Sequence, residues 1–168
     1  MTSGDLVVNV PLVAGAALAT AIDLRTRRVP NALTLSMAVT GLGIAALGFG
    51  SFGPGAAIAG GILGLALMLP GHLFGGTGAG DVKLFAAFGT LLGPAPTVRA
   101  FFFTALAGGL LALVVAARRR LVVATLSRTA RLIRQDAGAA VAIESVATDN
   151  RFAYAPAIAI GGLLAVLS

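Results

Sequence analysis

The sequence predicts an all-α polytopic membrane protein: a bundle of about six transmembrane helices with the amino terminus outside. Its 168 residues are 58% hydrophobic and only 11% charged, with a mean hydropathy of +0.98, whereas soluble domains carry about 25% charged residues. The apolar residues form six runs divided by short connections, and the basic residues cluster on one side of those runs. These observations together exclude an ordinary soluble fold.

The six apolar runs are near the length that a helix needs to cross the hydrocarbon layer, about 20 residues with a lower limit of about 17. The fourth run is the weakest, because the Gly-Pro-Ala-Pro segment at 93–96 is expected to end it. We expect that helix to begin inside the membrane near Asp81, leaving a water-filled recess above it. The runs lie at 6–22, 32–49, 56–74, 84–98, 100–117 and 152–167.

The distribution of lysine and arginine predicts the orientation, because these residues concentrate in short cytoplasmic loops. Residues 1–5 carry no positive charge, which favours a retained first span over a cleaved signal peptide. With the amino terminus outside, Arg99 is the one basic residue that falls outside. The others among the 12 basic residues fall inside: Arg25, Arg27, Arg28, Lys83, Arg118, Arg119, Arg120, Arg128, Arg131, Arg134 and Arg151.

One long polar connection, at about 118–150, precedes the last run. Its arginines Arg128, Arg131 and Arg134 recur at helical spacing opposite an apolar face. The segment is predicted either to lie in the headgroup layer against anionic lipid or to form a solvated cytoplasmic loop. The whole chain, 1–168, is otherwise expected to form a single membrane-embedded domain. The net charge of +6 is thus assigned to the membrane surface and not to nucleic acid.

Composition also restricts the chemistry. The chain has no cysteine, which excludes disulfides, a thiol nucleophile and cysteine-ligated metal sites. Its single histidine, His72, is too few for a histidine metal site, and we expect it at the membrane interface. We therefore expect neither a metal nor a cofactor.

Two of the six acidic residues, Asp23 and Asp81, are the candidate catalytic groups. A charged side chain at the centre of a bilayer helix costs roughly 2.5–3.5 kcal/mol, so such residues persist where they have a partner, water or a task. Asp23 closes the first apolar run, and Asp81 follows Gly78 and Gly80, which permit backbone shapes that other residues resist. The predicted orientation places both carboxylates on the cytoplasmic side.

Two carboxylates in one site share a proton and titrate as a coupled pair. The ionised group can take a proton from an attacking water while the protonated group donates to the scissile carbonyl oxygen. Such a pair predicts peptide hydrolysis without a covalent intermediate. The sequence does not say which aspartate is the acid and which is the base.

Other interpretations use the same residues. Asp23 and Asp81 could form a proton or cation relay in a small multi-spanning transporter or channel subunit. In a structural assembly subunit, they would instead pair with Arg27 or Arg151. Lys83, two positions after Asp81, would point to another side of the helix, toward headgroups or a substrate acid.

Three motifs resemble those of the type IV prepilin peptidases and archaeal preflagellin peptidases, and they extend over nearly the whole chain. A Gly-x-Gly-Asp tetrapeptide alone is a weak signal, but it is specific when Lys-Leu follows it and an Asp-x-x-x-Arg-x-x-Pro-Asn pattern precedes it. The motifs are Asp23 with Arg27, Pro30, Asn31 and Thr34; the GAGDVKL segment at 78–84; and the RFAYAPAIA segment at 151–159 with Gly161.

The resemblance implies an aspartic endopeptidase that removes the short basic leader from pilin-like precursors at the cytoplasmic face of the inner membrane. It would serve a pilus, a type II secretion system or an archaellum-like system. By motif position, Asp23 and Asp81 would be catalytic, with Gly78, Gly80 and Lys83 supporting the motif. Contacts with substrate or lipid would fall to Arg27, Pro30, Asn31, Arg151, Tyr154 and Pro156.

The implied partners are a pilin-like precursor protein and membrane lipids, with no nucleic acid and with homo-oligomerisation left open. Large bacterial members of the family insert a cytoplasmic domain after the first span, often with paired CxxC zinc motifs, and also methylate the new amino terminus. Here only about nine residues separate the first two runs, and cysteine is absent. The chain therefore resembles the short form, and we do not expect methyltransferase activity.

Overall fold

A computed structural model of the protein describes residues 3–118 and 154–167. Every regular element in these residues is an α-helix, so the predicted all-α class is confirmed. The predicted basic connection, from Arg119 onward, and Arg151 lie outside the described residues. The helices are α1 (Ser3–Thr26), α2 (Asn31–Ala46), α3 (Pro54–Leu73), α4 (Ala79–Leu92), α5 (Pro94–Arg118) and α6 (Ala155–Leu167).

Three of the described helices are long and apolar enough to cross a membrane, by length and composition: the spans are Leu6–Thr26, Pro54–Leu73 and Pro94–Val115. Helices α2 and α6 are shorter apolar helices. The 14 residues of α4 extend only about 21 Å at 1.5 Å per residue, less than the hydrocarbon thickness of about 30 Å. Each predicted run therefore corresponds to a helix, but not every helix has full membrane-spanning length.

The limits of α4 differ from the apolar run at 84–98. The helix begins at Ala79 and ends at Leu92, so the expectations of a start near Asp81 and an end at the Gly-Pro segment are both confirmed. Gly93 stops the helix with a φ of 75°, a left-handed conformation that favours glycine. The prediction for the fifth helix needs correction, because α5 starts at Pro94 and not at Ala100; proline fits a first turn, where no N–H is needed.

The chain divides into two units, one made of 1–108 and 153–168 and the other of 109–152. Within the first unit, α4 is the central helix and packs against α1, α2, α3 and α6. Ten of its 14 residues are buried, and the side chains of Phe85 and Phe88 are fully enclosed. The helix that is too short to span alone is thus held on several sides by its neighbours.

Glycine allows the backbones of α3 and α4 to meet. Gly60 and Gly89 face each other so closely that a Cβ on either would overlap the backbone of the other. One turn along, a Cβ on Gly64 would lie 2.9 Å from the carbonyl oxygen of Phe85. Small residues permit this approach between membrane helices, where apolar side chains gain little by leaving lipid. Gly60, Gly64 and Gly89 are therefore packing residues of the α3–α4 interface.

Four helix ends meet at one end of this unit: the carboxyl end of α1 and the amino ends of α2, α4 and α6. Lys83 on α4 donates a hydrogen bond to Asn31 on α2, with 3.0 Å between Nζ and Oδ1. The backbone N–H of Ala155, at the start of α6, donates to the Asp23 carboxylate near the end of α1. We call this region the aspartate end.

The contact between α3 and α4 predicts the effect of one added methyl group. Gly89→Ala should destabilise the protein by about 1–3 kcal/mol, because overpacking forces the backbones apart. Gly43→Ala, in α2, is the matched control, since a Cβ there meets nothing within 4 Å and alanine is favoured in helix interiors by about 0.5–1 kcal/mol. Thermal unfolding in detergent micelles measures both; equal stabilities would contradict the contact.

Candidate active site

Asp23 is buried at the aspartate end, with 4% of its surface exposed. Its Oδ2 accepts a hydrogen bond of 3.1 Å from the backbone N–H of Ala155, the first residue of α6. A helix amino terminus has unpaired N–H groups and a partial positive charge, both of which favour a carboxylate. The last helix therefore holds the candidate catalytic group of the first helix in place.

Asp81 is also buried, with 7% exposed, in the first turn of α4. Its Oδ2 accepts a 3.0 Å hydrogen bond from the backbone N–H of Gly78, which caps the helix. This is the carboxylate half of a capping box; glycine has no side chain to return the bond, and its carbonyl oxygen accepts the N–H of Asp81. Like Asp23, Asp81 is fixed at a helix amino terminus by a backbone amide.

The structure brings the two carboxylates into one site. The charge of Asp23 acts electrostatically on Asp81, and α1 packs against α4. Within the described part of the chain, each carboxylate accepts its hydrogen bond through Oδ2, and this leaves Oδ1 of each for water or a ligand. The two acids therefore lie at the same end of the bundle, within electrostatic reach of each other, and each has one oxygen that can bind water or a proton.

The two glycines of the Gly-x-Gly-Asp motif have separate steric roles. A Cβ on Gly80 would lie 3.2 Å from Cβ of Val29, a buried residue in the connection that follows Asp23. A Cβ on Gly78 would lie 3.0 Å from Oδ2 of Asp81. Gly80 therefore lets the first turn of α4 approach the α1–α2 connection, and Gly78 leaves space for the carboxylate over its own amide.

Lys83 lies beside the aspartates without pairing with Asp81. Its ammonium group donates to the Asn31 side chain, and both residues are exposed. This bond joins the first turns of α2 and α4, two segments that the sequence analysis treated as separate motifs. An ammonium group has three donors, so this arrangement leaves capacity for a headgroup or a substrate.

Tyr154 immediately precedes α6 and is half-buried. Its hydroxyl lies so close to α5 that a Cβ on Gly108 would be 2.6 Å from it. The hydroxyl also lies within electrostatic reach of Asp81. Pro156 lies half-buried in the first turn of α6.

The alternative pairing of Asp23 with Arg27 is not found in the described residues. Helix α1 ends at Thr26, and Arg27 adopts a left-handed φ of 52° with an exposed side chain. Its backbone N–H still donates to the Asp23 carbonyl, at 2.7 Å, but the side chain has left the i, i+4 geometry. Pro30 is the N-cap of α2 in an extended conformation, so the helix itself starts at Asn31.

His72, in the last turn of α3, contacts the connection between α3 and α4. Its Nδ1 lies 2.9 Å from the carbonyl oxygen of Thr77. Among the described residues, no group of three or more His, Cys, Asp or Glu side chains forms a possible metal site.

Sequence reasoning missed the partner of Asp23. The amide of Ala155 carries no side-chain signature, although Pro156 at the second helical position is typical of a helix start. It also missed the contact between Gly80 and Val29, since nothing in the sequence links the two segments.

Comparison with known families supports a protease. The model of the type IV leader peptidase family matches residues 11–113, a range that includes Asp23, Asp81 and both motif glycines. Tyr154 and the start of α6 lie beyond it. No curated protein and no solved structure matches the chain.

The bond between Asp23 and Ala155 predicts a difference between two substitutions. Asp23→Ala should lower the free energy of unfolding by about 1–3 kcal/mol, because it leaves a buried N–H without an acceptor. Asp23→Asn keeps a carbonyl oxygen at that position and should lose less. Unfolding in detergent micelles compares the two variants; indistinguishable losses would mean that the amide is satisfied in another way.

Proposed function

Because the chain belongs to the type IV leader peptidase family, we propose that it is a membrane-embedded aspartic endopeptidase acting on pilin-like precursors. It cleaves the leader peptide at the cytoplasmic face of the inner membrane. The observation that carries this proposal is the placement of Asp23 and Asp81, which are buried, held by backbone amides and in electrostatic contact at one end of the bundle.

In the proposed reaction, the two carboxylates share one proton and hold a water molecule between them. The ionised aspartate takes a proton from the water as the water oxygen attacks the scissile carbonyl carbon. The other aspartate gives its proton to the carbonyl oxygen, producing a neutral tetrahedral diol. When the C–N bond breaks, one hydroxyl proton returns to the dyad and the aspartate protonated in the first step donates its proton to the departing amine, so the shared proton is restored.

The amide partners explain how the dyad keeps its geometry. Proximity contributes to catalysis only when the reacting groups are held in a near-attack arrangement. The N–H groups of Ala155 and Gly78 each engage one oxygen of a carboxylate, and each belongs to a helix start. Rotation of either side chain would break its bond, so α4 and α6 orient the pair.

Basic residues support a cytoplasmic location for the aspartate end. Arg25, Arg27 and Arg28 are exposed near the end of α1, and Lys83 is exposed at the start of α4. Lysine and arginine concentrate on the cytoplasmic side of membrane proteins. This orientation brings the site to the compartment in which a newly made precursor keeps its basic leader.

The small connection between α1 and α2 also distinguishes this chain from family members that carry an inserted zinc domain. Only residues 27–30 separate the two helices. We propose cleavage without methylation, so the mass of the mature substrate should correspond to a free amino terminus.

Co-expression with a pilin-like precursor tests the dyad. Asp23→Asn and Asp81→Asn should each lower the rate of leader removal by at least about 10²-fold, the contribution typical of general acid–base groups. Groups that act as a unit give non-additive losses, so the double variant should be no worse than either single variant. Immunoblotting of precursor and mature forms provides the measurement.

Asp5→Asn is the matched control, because Asp5 lies on the same helix about 27 Å from Asp23 at 1.5 Å per residue. The Asp5→Asn variant should remove the leader at the wild-type rate. Cleavage by Asp81→Asn at that rate would contradict the proposal. A relay protein would instead show lost ion flux in Asp81→Asn, with the precursor unprocessed by any variant.

A further inference from the structure

A groove of about 530 Å³ lies on the first unit between α2, α3 and α4. This volume is within the range of about 300–1,000 Å³ typical of ligand sites. Each helix contributes a stripe of residues at helical spacing: from Asn31 to Leu42 on α2, from Ile58 to Leu65 on α3, and from Lys83 to Thr90 on α4. The groove therefore follows the helices and does not cross them.

The groove has a shallow floor of small residues and walls of large apolar ones. Ala38, Gly61 and Ala86 are half-buried, whereas Leu35 and Ile62 are each 65% exposed. Small residues on a membrane helix let another helix approach closely. An exposed track of this kind, with large side chains on both sides, has the form of a helix-packing surface without its partner.

Hydroxyl groups in the groove need no partner from an occupant. Thr34 donates to the carbonyl oxygen of Asn31, and Thr90 donates to that of Ala87. Lys83 is the one charged residue among those that line the groove, and it lies at one end. An occupant would therefore be apolar along its length, with its polar end near Lys83.

That polar end coincides with the aspartate end. The Lys83–Asn31 hydrogen bond crosses the groove where α2 and α4 begin, and Lys83 is two residues from Asp81. From there, the stripe on α2 runs about 16 Å to Leu42, roughly three helical turns. The groove thus starts at the end of the bundle that holds the candidate active site, on the opposite side of α4 from Asp81, and leads away from it.

We propose that this groove receives the apolar helix of the precursor, running in the same direction as α2, with its junction to the leader at the Lys83–Asn31 end. The inference rests on the proposed function and adds that the precursor carries one apolar helix after its leader. The shared end of the bundle favours such a helix over a lipid chain, because an extended segment preceding a helix seated here would pass the start of α4 on its way to the dyad.

Cysteine crosslinking tests the groove without background, since the chain has no cysteine of its own. Leu35→Cys introduces a thiol in the groove, and Ser36→Cys is the matched control. Ser36 is exposed at the same depth, but its side chain points about 100° away around the helix. Both variants carry Asp81→Asn, so that a precursor with one cysteine early in its apolar helix stays uncleaved.

Oxidation should join the precursor to Leu35→Cys several-fold more than to Ser36→Cys. Ile62→Cys, on the opposite wall, should also crosslink and serves as a second variant if Leu35→Cys does not fold. Leu42→Cys should prefer a precursor cysteine about seven residues further along, because seven residues of helix cover about 10 Å. Equal yields at positions 35 and 36, or the reverse order along the precursor, would overturn the proposed docking.

Processing by the wild-type chain distinguishes failure of the groove from failure of the enzyme. If the wild type removes the leader but no groove cysteine captures the precursor, the docking proposal is overturned and the peptidase proposal stands. If the groove cysteines capture the precursor but the wild-type chain leaves the precursor intact, the peptidase proposal is overturned. The docking proposal, which rests on it, is then overturned as well.

Discussion

The hydrogen bond between Ala155 and Asp23 is the interaction on which the arrangement of the candidate site depends. A buried carboxylate without partners is strongly unfavourable, and the amino end of α6 supplies an N–H donor together with the positive end of a helix dipole. The bond also ties the last helix to the first. Asp81 is stabilised in the same way at the start of its own helix, by the backbone N–H of Gly78. Helix starts, and not basic side chains, hold both acids in the described structure.

Close backbone packing makes a short central helix possible. Apolar side chains gain little by leaving lipid for a helix interface, so close approach of the backbones helps to hold the bundle together. Gly60 and Gly89 supply that approach between α3 and α4, and Gly162 accepts the ring of Phe88 where α6 meets α4. Gly80 allows the same close approach between the start of α4 and the α1–α2 connection that contains Val29. Glycine therefore allows the neighbouring segments to pack closely against α4, the helix that carries Asp81.

Features with a local signature could be predicted from the sequence. The apolar runs predicted the helices, and the Gly-Pro pair at 93–94 predicted the end of α4. The distribution of basic residues predicted that both aspartates lie at the same end. Contacts between distant segments had no such signature: the amide of Ala155 and the bond from Lys83 to Asn31 depend on how helices pack. The alternative pairing of Arg27 with Asp23 assumed a continuous helix, and it is not found in the described residues because α1 ends at Thr26.

A substrate helix in the groove would also lessen the main difficulty of proteolysis in a membrane. Peptide bonds inside a helix are hydrogen-bonded and must be unwound before water can attack, whereas the first N–H groups of a helix are unpaired and the preceding residues can be extended. Because α2 and α4 both begin at the aspartate end, a helix docked in the same direction would start there too. The bond offered to the dyad would then lie in the extended segment that precedes the helix. In this arrangement, the position of the groove would select the cleavage site, and the enzyme would not need to unwind the substrate helix.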